Sequence, residues 1–128
     1  MKINKVHHIA IITSDYQKAI HFYQDILGLT LEKETYRAAR QSYKADLYLN
    51  GEYTVELFSF HNPPKRLSYP EATGLRHLAF EVDNIENTFE EFESKGIHPQ
   101  EIRIDELTGK KFFFIYDPDE LPIEFYEK

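Results

Sequence analysis

The stretch Val6-His7-His8-Ile9-Ala10-Ile11-Ile12-Thr13-Ser14-Asp15 sets the plan of the fold. It begins as a short apolar run rich in β-branched residues, which is typical of a strand, and it ends in three residues that commonly cap a helix. An apolar stripe at helical spacing follows, formed by Tyr16, Ala19, Ile20, Tyr23 and Leu27. Gly28 supplies a helix stop. The stretch therefore predicts a strand at about 6–12 that leads directly into a helix.

Three strand-like segments complete the first half of the chain, at about 29–36, 43–49 and 53–60. Asn50-Gly51 joins the last two and is a strong signal for a tight hairpin. Residues 61–74 are rich in turn formers and predict a loop. The first half, about residues 5–60, is therefore predicted to be a βαβββ module.

The same order of patterns returns after the loop. Leu75 to Val82 has the character of a strand, and a helical stripe at Ile85, Phe89 and Phe92 ends at Gly96. Three more strand candidates lie at about 97–104, 111–117 and 122–127. The second half, about residues 75–127, therefore predicts a second βαβββ module, and the chain as a whole (1–128) a single α+β domain with an internal repeat.

Corresponding residues of the two halves are separated by nearly the same number of positions. His8 and His77 are 69 positions apart, and Glu56 and Glu124 are 68 apart. The helix starts Asp15 and Asp83 and the helix stops Gly28 and Gly96 are also 68 positions apart. The same interval thus separates two His residues, two helix starts, two helix stops and two strand Glu residues. This shared interval indicates an internal duplication.

The composition limits the classes of function. The chain has 22 acidic and 15 basic residues, a formal net charge of −7, and no block of Lys and Arg, so we expect no nucleic-acid partner. It has no cysteine, so a metal would have to be held by His, Asp or Glu. Neither a signal peptide nor a run of 18 apolar residues is apparent, which predicts a cytoplasmic protein without a membrane partner.

Two His and two Glu stand out as candidate metal ligands. Strand side chains alternate between faces, so His8 and its neighbour His7 are predicted to point to opposite sides of the sheet. Glu56, His77 and Glu124 each lie in an otherwise apolar strand, where a carboxylate needs a compensating partner. Two imidazoles and two carboxylates around a divalent cation sum to zero charge. We therefore predict one metal site formed by His8, Glu56, His77 and Glu124.

Each of these residues also has a simpler interpretation. A single strand Glu is more often solvent-facing, and a single strand His is more often a hydrogen-bonded structural residue. Glu81 competes as a ligand because its position matches that of His77, while the weaker histidine candidates are His7, His21, His61 and His98. Four basic residues could bind an anionic substrate, although such residues are usually only solvated: Arg37, Arg40, Lys44 and Arg76.

Motifs along the whole chain resemble the vicinal oxygen chelate superfamily, in its glyoxalase I-like branch. These motifs are residues 6–11, Ala19-Ile20-His21-Phe22-Tyr23, Leu27-Gly28-Leu29, residues 75–80, Tyr116-Asp117-Pro118-Asp119 and Pro122-Ile123-Glu124. Residues 56–60 and Pro63-Pro64 are similar to a small bacterial subgroup of uncharacterised glyoxalase-like proteins. The resemblance implies the glyoxalase/bleomycin resistance/dioxygenase fold, with two βαβββ modules forming a curled eight-stranded mixed sheet around a metal-centred cleft, commonly in a homodimer.

The resemblance also implies a chemistry. His8, Glu56, His77 and Glu124 correspond to the four ligands of one divalent ion, which could be Zn, Ni, Co, Mn or Fe(II). A ligand set with a second carboxylate resembles that of the isomerase type, which includes lactoylglutathione lyase. In that type the metal polarises vicinal oxygens of a small substrate and a Glu shuttles a carbon-bound proton. Glu124 is favoured over Glu56 for this role.

Two positions depart from the family pattern. Ile12 stands where glyoxalase I has a basic residue for the glutathione carboxylate, which argues against a glutathione conjugate as substrate. Glu120 stands where many members have Gly, which predicts an altered turn. Alternative functions are a non-catalytic small-molecule (drug) binding protein, a thiol transferase acting on an epoxide antibiotic, and a dioxygenase in which one Glu is not a ligand.

Overall fold

The computed structural model of the protein describes residues 1–128. The chain divides into two compact units, an N-terminal unit (Met1–Pro64) and a C-terminal unit (Lys65–Lys128). Their boundary lies within the predicted loop at 61–74. Each unit has the order strand, helix and three strands, which confirms the predicted α+β fold of two βαβββ modules. None of the helices is both long enough and apolar enough to cross a membrane.

The N-terminal unit forms one four-stranded sheet with the order β1-β4-β3-β2. Its strands are β1 (Ile9–Thr13), β2 (Thr30–Arg37), β3 (Ser42–Leu49) and β4 (Glu52–Ser59). The first strand pairs with the last in parallel, and the other neighbours are antiparallel. Asn50 and Gly51 both have positive φ, 50° and 81°, which the tight hairpin between β3 and β4 requires.

The first helix begins where the sequence predicts and then changes its winding. The Asp15 side chain accepts a hydrogen bond from the Lys18 backbone N at 3.1 Å and caps α1 (Tyr16–Ile20). The chain continues as a wider π-helix over His21–Ile26. Phe22, three residues after Ala19 and outside the predicted stripe, is also buried in the core.

The C-terminal unit repeats this arrangement with the order β5-β8-β7-β6. Its elements are β5 (Leu78–Val82), α2 (Ile85–Ser94), β6 (Arg103–Ile104), β7 (Lys111–Tyr116) and β8 (Pro122–Glu127). The predicted strand at 97–104 is wrong in extent, since only its last two residues pair as a strand. Pro99 lies in the predicted span and has no N–H to donate to a ladder.

The eight predicted strands are all present, but their ladders form two four-stranded sheets and not one of eight strands. In each module the first strand pairs with that module's own last strand. Ala10 lies opposite Glu56, and Ala79 lies opposite Glu124. The duplication inferred from spacing therefore extends to the register of the ladders.

Alternation along the closing strands separates a core face from a second face of each sheet. Val55 and Leu57 in β4, and Ile123 and Phe125 in β8, are buried. In the C-terminal unit α2 covers the buried face, where its Phe92 packs against Phe125 with ring centroids 4.8 Å apart. Glu56 and Glu124 occupy the intervening positions and therefore project from the second face.

The turn before β8 contains the strained residue that the sequence singles out. Glu120 has φ 67°, a left-handed conformation that costs a residue with a Cβ about 1–2 kcal/mol. Because glycine adopts this conformation freely but loses more chain entropy on folding, Glu120→Gly is expected to raise the free energy of unfolding by about 0.5–1 kcal/mol. Urea unfolding measures this change. Glu101→Gly, at an exposed position without positive φ, is the control and should be neutral or destabilising; a destabilised Glu120→Gly protein would contradict the prediction.

Candidate metal centre

The first candidate pair lies in the N-terminal unit. His8 immediately precedes β1 and Glu56 lies in the adjacent strand β4. The Nε2 atom of His8 is 3.6 Å from the Oε1 atom of Glu56, and the two side chains are 33% and 17% exposed. An imidazole nitrogen and a carboxylate oxygen thus face each other in a partly buried setting that solvent still reaches.

A neighbouring histidine orients the ring of His8. The Nδ1 atoms of His7 and His8 are 2.8 Å apart, so one ring must donate to the other. Both rings pack on Tyr53, with centroid distances of 5.4 Å and 5.0 Å. The predicted separation of His7 from His8 is therefore wrong, because both residues precede the strand and strand alternation does not apply to them. With Nδ1 engaged, His8 presents Nε2 to Glu56.

The two oxygens of Glu56 have different surroundings. Oε1 faces His8, while Oε2 accepts a hydrogen bond from the Tyr53 hydroxyl at 3.1 Å and lies 3.3 Å from the Lys44 ammonium. Asp46 joins this cluster, since it accepts from Lys44 at 2.8 Å and shares the single Tyr53 hydroxyl proton with Glu56, at 2.7 Å from the hydroxyl. Glu56 is therefore held by one oxygen and free to offer the other.

The same cluster fixes the protonation of its members. Burial first, and then the hydrogen bonds to Asp46 and Glu56, raise the pKa of Tyr53 above its usual range, so its hydroxyl remains a donor. Burial alone would raise the pKa of Asp46, but the hydrogen bonds from Lys44 and Tyr53 outweigh it and lower that pKa. The hydrogen bond to Asp46 leads the interactions that raise the pKa of Lys44, against the opposing effect of burial.

The second candidate pair lies in the C-terminal unit. His77 immediately precedes β5, and its Nε2 atom is 2.7 Å from the Oε2 atom of Glu124 in β8. These side chains are 25% and 13% exposed. The ring of His77 packs edge-on against Phe114, with centroids 5.2 Å apart. Glu81, the competing ligand candidate, is exposed, and the carboxylate that contacts His77 is that of Glu124.

The surroundings of the two pairs differ in a way that the register makes clear. Asp46 lies opposite Glu56 in the first sheet, and Phe114 lies opposite Glu124 in the second. Lys44 lies two residues before Asp46 in β3, and Phe112 occupies the equivalent position, two residues before Phe114, in β7. On the neighbouring strand, the first pair therefore has charged side chains beside it and the second pair has aromatic rings.

The donor chemistry of the pairs fits a divalent metal ion. Each pair offers one imidazole nitrogen and one carboxylate oxygen, and the two pairs together make a neutral set with a divalent cation. No group of three or more His, Asp or Glu side chains that could hold a metal is formed. Within the N-terminal unit His8 faces Glu56, and within the C-terminal unit His77 faces Glu124.

The other residues considered from sequence have different partners. His21 pairs with Asp25 at 2.8 Å on the helix surface. Arg37 lies over the Phe58 ring, 4.8 Å from its centroid, and Arg40 is exposed. Among the remaining histidines, His61 contacts the side chain of Asn62 and His98 is exposed.

Two cavities adjoin the second pair. One of about 240 Å³ is lined by His77, Phe114 and three arginines, Arg66, Arg76 and Arg103. The other, of about 450 Å³, is lined by both His77 and Glu124 and shares Arg76, Arg103 and Phe114 with the first. The sequence does not single out Arg66 or Arg103, because no local pattern distinguishes either from a solvated surface arginine.

Comparison with known proteins gives one family. The sequence model of the Glyoxalase/Bleomycin resistance protein/Dioxygenase superfamily matches residues 5–125. The uncharacterized protein YwkD of Bacillus subtilis (strain 168) is 54% identical over 100% of both chains. The uncharacterized protein YaeR of Escherichia coli (strain K12) is 55% identical over 98% of both. The crystal structure of a glyoxalase family protein from Enterococcus faecalis is 42% identical, with a TM-score of 0.92 over 99% of this chain and 100% of that one.

Proposed function

Because the chain belongs to the glyoxalase/bleomycin resistance protein/dioxygenase superfamily, we propose that it is a divalent-metal-dependent, glyoxalase-like lyase or isomerase acting on a small oxygenated substrate. One observation carries the proposal. A His that precedes the first strand of each module faces a Glu at the same ladder position of its last strand. A duplicated His–Glu pair at matched positions, with solvent access, suits shared ligation better than two separate structural roles.

The metal ligands of the proposed enzyme are His8, Glu56, His77 and Glu124. The ion would be one of zinc, nickel, cobalt, manganese or iron(II), and it would polarise vicinal oxygens of the substrate. In this arrangement Nδ1 of His8 donates a hydrogen bond to Nδ1 of His7, which leaves Nε2 of His8 free to bind the metal. Tyr53 and Lys44 hold Oε2 of Glu56, which leaves Oε1 free to bind it. Such partners orient metal ligands and are as much a part of the site as the ligands themselves.

The proton shuttle is assigned to Glu124. Glu56 already accepts a hydrogen bond from Tyr53 and lies beside the Lys44 ammonium, so one of its two oxygens is already engaged. Glu124 has no lysine within ion-pair distance and lines the larger cavity beside His77. A carboxylate that borders open space and has no lysine beside it is better placed to take a carbon-bound proton and return it.

Assembly and location complete the proposal. We infer a cytoplasmic homodimer, in which the His–Glu pairs combine either within one chain or between two chains. The same four residues serve in both arrangements, since closed twofold symmetry repeats each pair.

Metal content tests the proposal directly. Protein purified without added metal is expected to contain about one transition-metal ion per chain by elemental analysis, and His77→Ala is expected to lose most of it, because the imidazole donor is removed. His98→Ala is the matched control, since His98 is an exposed histidine of the same unit. Circular dichroism confirms that both variants fold.

Two outcomes would contradict this reading. A wild-type protein that neither contains a transition metal nor binds one on addition would favour the non-catalytic binding protein. Equal metal content in His77→Ala and the wild type would remove His77 from the site. Lactoylglutathione formation from methylglyoxal and glutathione by the metal-loaded protein would extend the substrate range to glutathione conjugates, against the expectation from Ile12.

A further inference from the structure

One cavity of the C-terminal unit carries net positive charge in a protein whose formal net charge is −7. The cavity of about 240 Å³ beside His77 is lined by three arginines and one acidic residue, namely Arg66, Arg76, Arg103 and Glu71. Arg76 is neutralised by Glu71, with Nε 2.6 Å from Oε1. Arg66 and Arg103 make no ion pair, so two guanidinium charges remain uncompensated.

Arg66 is held in place without a counter-charge. Its Nε donates to the Ser68 hydroxyl at 3.0 Å, and one terminal nitrogen donates to the carbonyls of Leu75 and Arg76 at 2.7 Å and 2.8 Å. These carbonyls belong to the two residues before His77. The guanidinium is therefore fixed next to the candidate metal ligand, and little side-chain entropy remains to be lost when it binds a ligand.

Arg103 shares an aromatic wall with His77. Its guanidinium lies over the rings of Phe112 and Phe114, at 5.1 Å and 5.7 Å from their centroids. Phe114 is the ring that His77 also contacts. One terminal nitrogen of Arg103 makes a long contact, 3.5 Å, with Gln100 Oε1. Stacking on the rings leaves the other N–H groups of the guanidinium edge for contact with an oxyanion.

Neutral donors complete the lining. The Tyr116 hydroxyl lies 2.9 Å from the Tyr69 hydroxyl and accepts a hydrogen bond from Gln100 Nε2 at 2.5 Å. The hydrogen bond with Tyr69, followed by burial, raises the pKa of Tyr116, which keeps it a neutral phenol and not an anion that would repel a ligand. The volume of about 240 Å³ is below the ~300–1,000 Å³ of drug-sized sites and fits a small charged group.

We propose that this cavity binds an anionic group of the substrate, with Arg103 and Arg66 as its specificity-determining residues. The inference rests on the proposed function and narrows it to substrates that carry an oxyanion, either a carboxylate or a phosphate-type group, a few atoms from the oxygens that chelate the metal. His77 lines this cavity and also belongs to the His77–Glu124 pair, so one small molecule can contact both.

The test uses full-length, metal-free protein, prepared with EDTA and dialysed, so that no anion can bind through a metal. The arginine Nε–Hε resonances are followed by NMR during titration with inorganic phosphate and, separately, with acetate, at constant ionic strength. We expect saturable shifts of the Arg66 and Arg103 resonances in the wild type. Arg103→Gln should weaken binding at least tenfold, because a charged hydrogen-bond donor is lost.

Control variants separate this site from general charge and from misfolding. Arg40→Gln removes an exposed arginine of the other unit and should leave the affinity unchanged. Arg103→Lys keeps the charge without the planar fork and should restore only part of the affinity. Tighter binding of phosphate than of acetate assigns a phosphate-type substrate group, and the reverse assigns a carboxylate.

The proposal is overturned if neither anion produces a saturable shift in the wild type, or if Arg103→Gln binds as tightly as the wild type. Because these titrations contain no metal, their failure would leave the metal-content experiment intact. In the same way, a protein that binds anions at Arg103 but holds no metal would contradict only the proposed metal-dependent chemistry.

Discussion

Glu124→Gln is expected to slow proton transfer by a factor of about 10² to 10⁴, the range in which a positioned general base contributes. The amide has nearly the size of the carboxylate and can remain beside His77, 2.7 Å away in the wild type, but it cannot accept a carbon-bound proton. Glu56→Gln is expected to act differently. It removes the charge that Tyr53 and Lys44 hold in place, so its main effect should be weaker metal binding.

Deuterium exchange measures this step before the complete reaction is known. The metal-loaded protein is incubated in D₂O with dihydroxyacetone phosphate, which combines an α-hydroxycarbonyl group with a phosphate, and NMR follows loss of the carbon-bound protons above the uncatalysed rate. Hydroxyacetone, which lacks the phosphate, serves as the uncharged comparison. Metal saturation of each variant is checked by elemental analysis, so that loss of the base is distinguished from loss of metal.

Glu81→Gln provides the matched control, because Glu81 is an exposed carboxylate of β5 and the competing ligand candidate in the sequence. It should exchange protons at the wild-type rate. If Glu124→Gln retained full exchange while metal-saturated Glu56→Gln lost it, the two carboxylates would have the reverse roles. Loss in Glu81→Gln alone would mean that the ligand pairing of His77 differs from the one observed.

Most of the topology follows from local sequence signals. Asp15 caps the first helix, and Asn50-Gly51 forms the tight hairpin, each because its backbone or side chain suits one local geometry. The predicted strand at 97–104 forms only at Arg103–Ile104, because Pro99 has no N–H to donate to a ladder although the segment is partly apolar. Local patterns thus predict elements well where a turn or cap defines their ends.

The candidate pairs could also be predicted, whereas the cluster around Glu56 could not. A two-residue hairpin at Asn50-Gly51 that continued without interruption would place Asp46 opposite Val55. A register shift between Leu47 and Tyr48 moves Asp46 opposite Glu56 instead. Such a bulge depends on packing across the sheet and leaves no reliable mark in the local sequence, so the contacts of Asp46 become visible only in the structure.

The aromatic core of the C-terminal unit is expected to be its most sensitive part. Phe113 is 0% exposed, and its ring stacks on Phe125 with centroids 5.4 Å apart. The rings of Phe89 and Phe92, both from α2, meet it edge-on at 5.3 Å and 6.1 Å. Ala45 occupies the corresponding ladder position of the N-terminal unit. A large aromatic side chain therefore stands at this position only in the C-terminal unit.

Phe113→Ala is therefore expected to lower the free energy of unfolding by about 3–5 kcal/mol, through lost burial and the cavity that remains between strand and helix. Because a domain of this size is typically stable by only about 5–15 kcal/mol, much of the stability should disappear. Urea unfolding followed by circular dichroism measures the change. Phe112→Ala is the matched control on the opposite face of the same strand, where the side chain is only partly buried, and it should cost less than half as much. Equal losses in the two variants would contradict the assignment of the core face, because alternation along β7 allows only one of these neighbours to pack under α2.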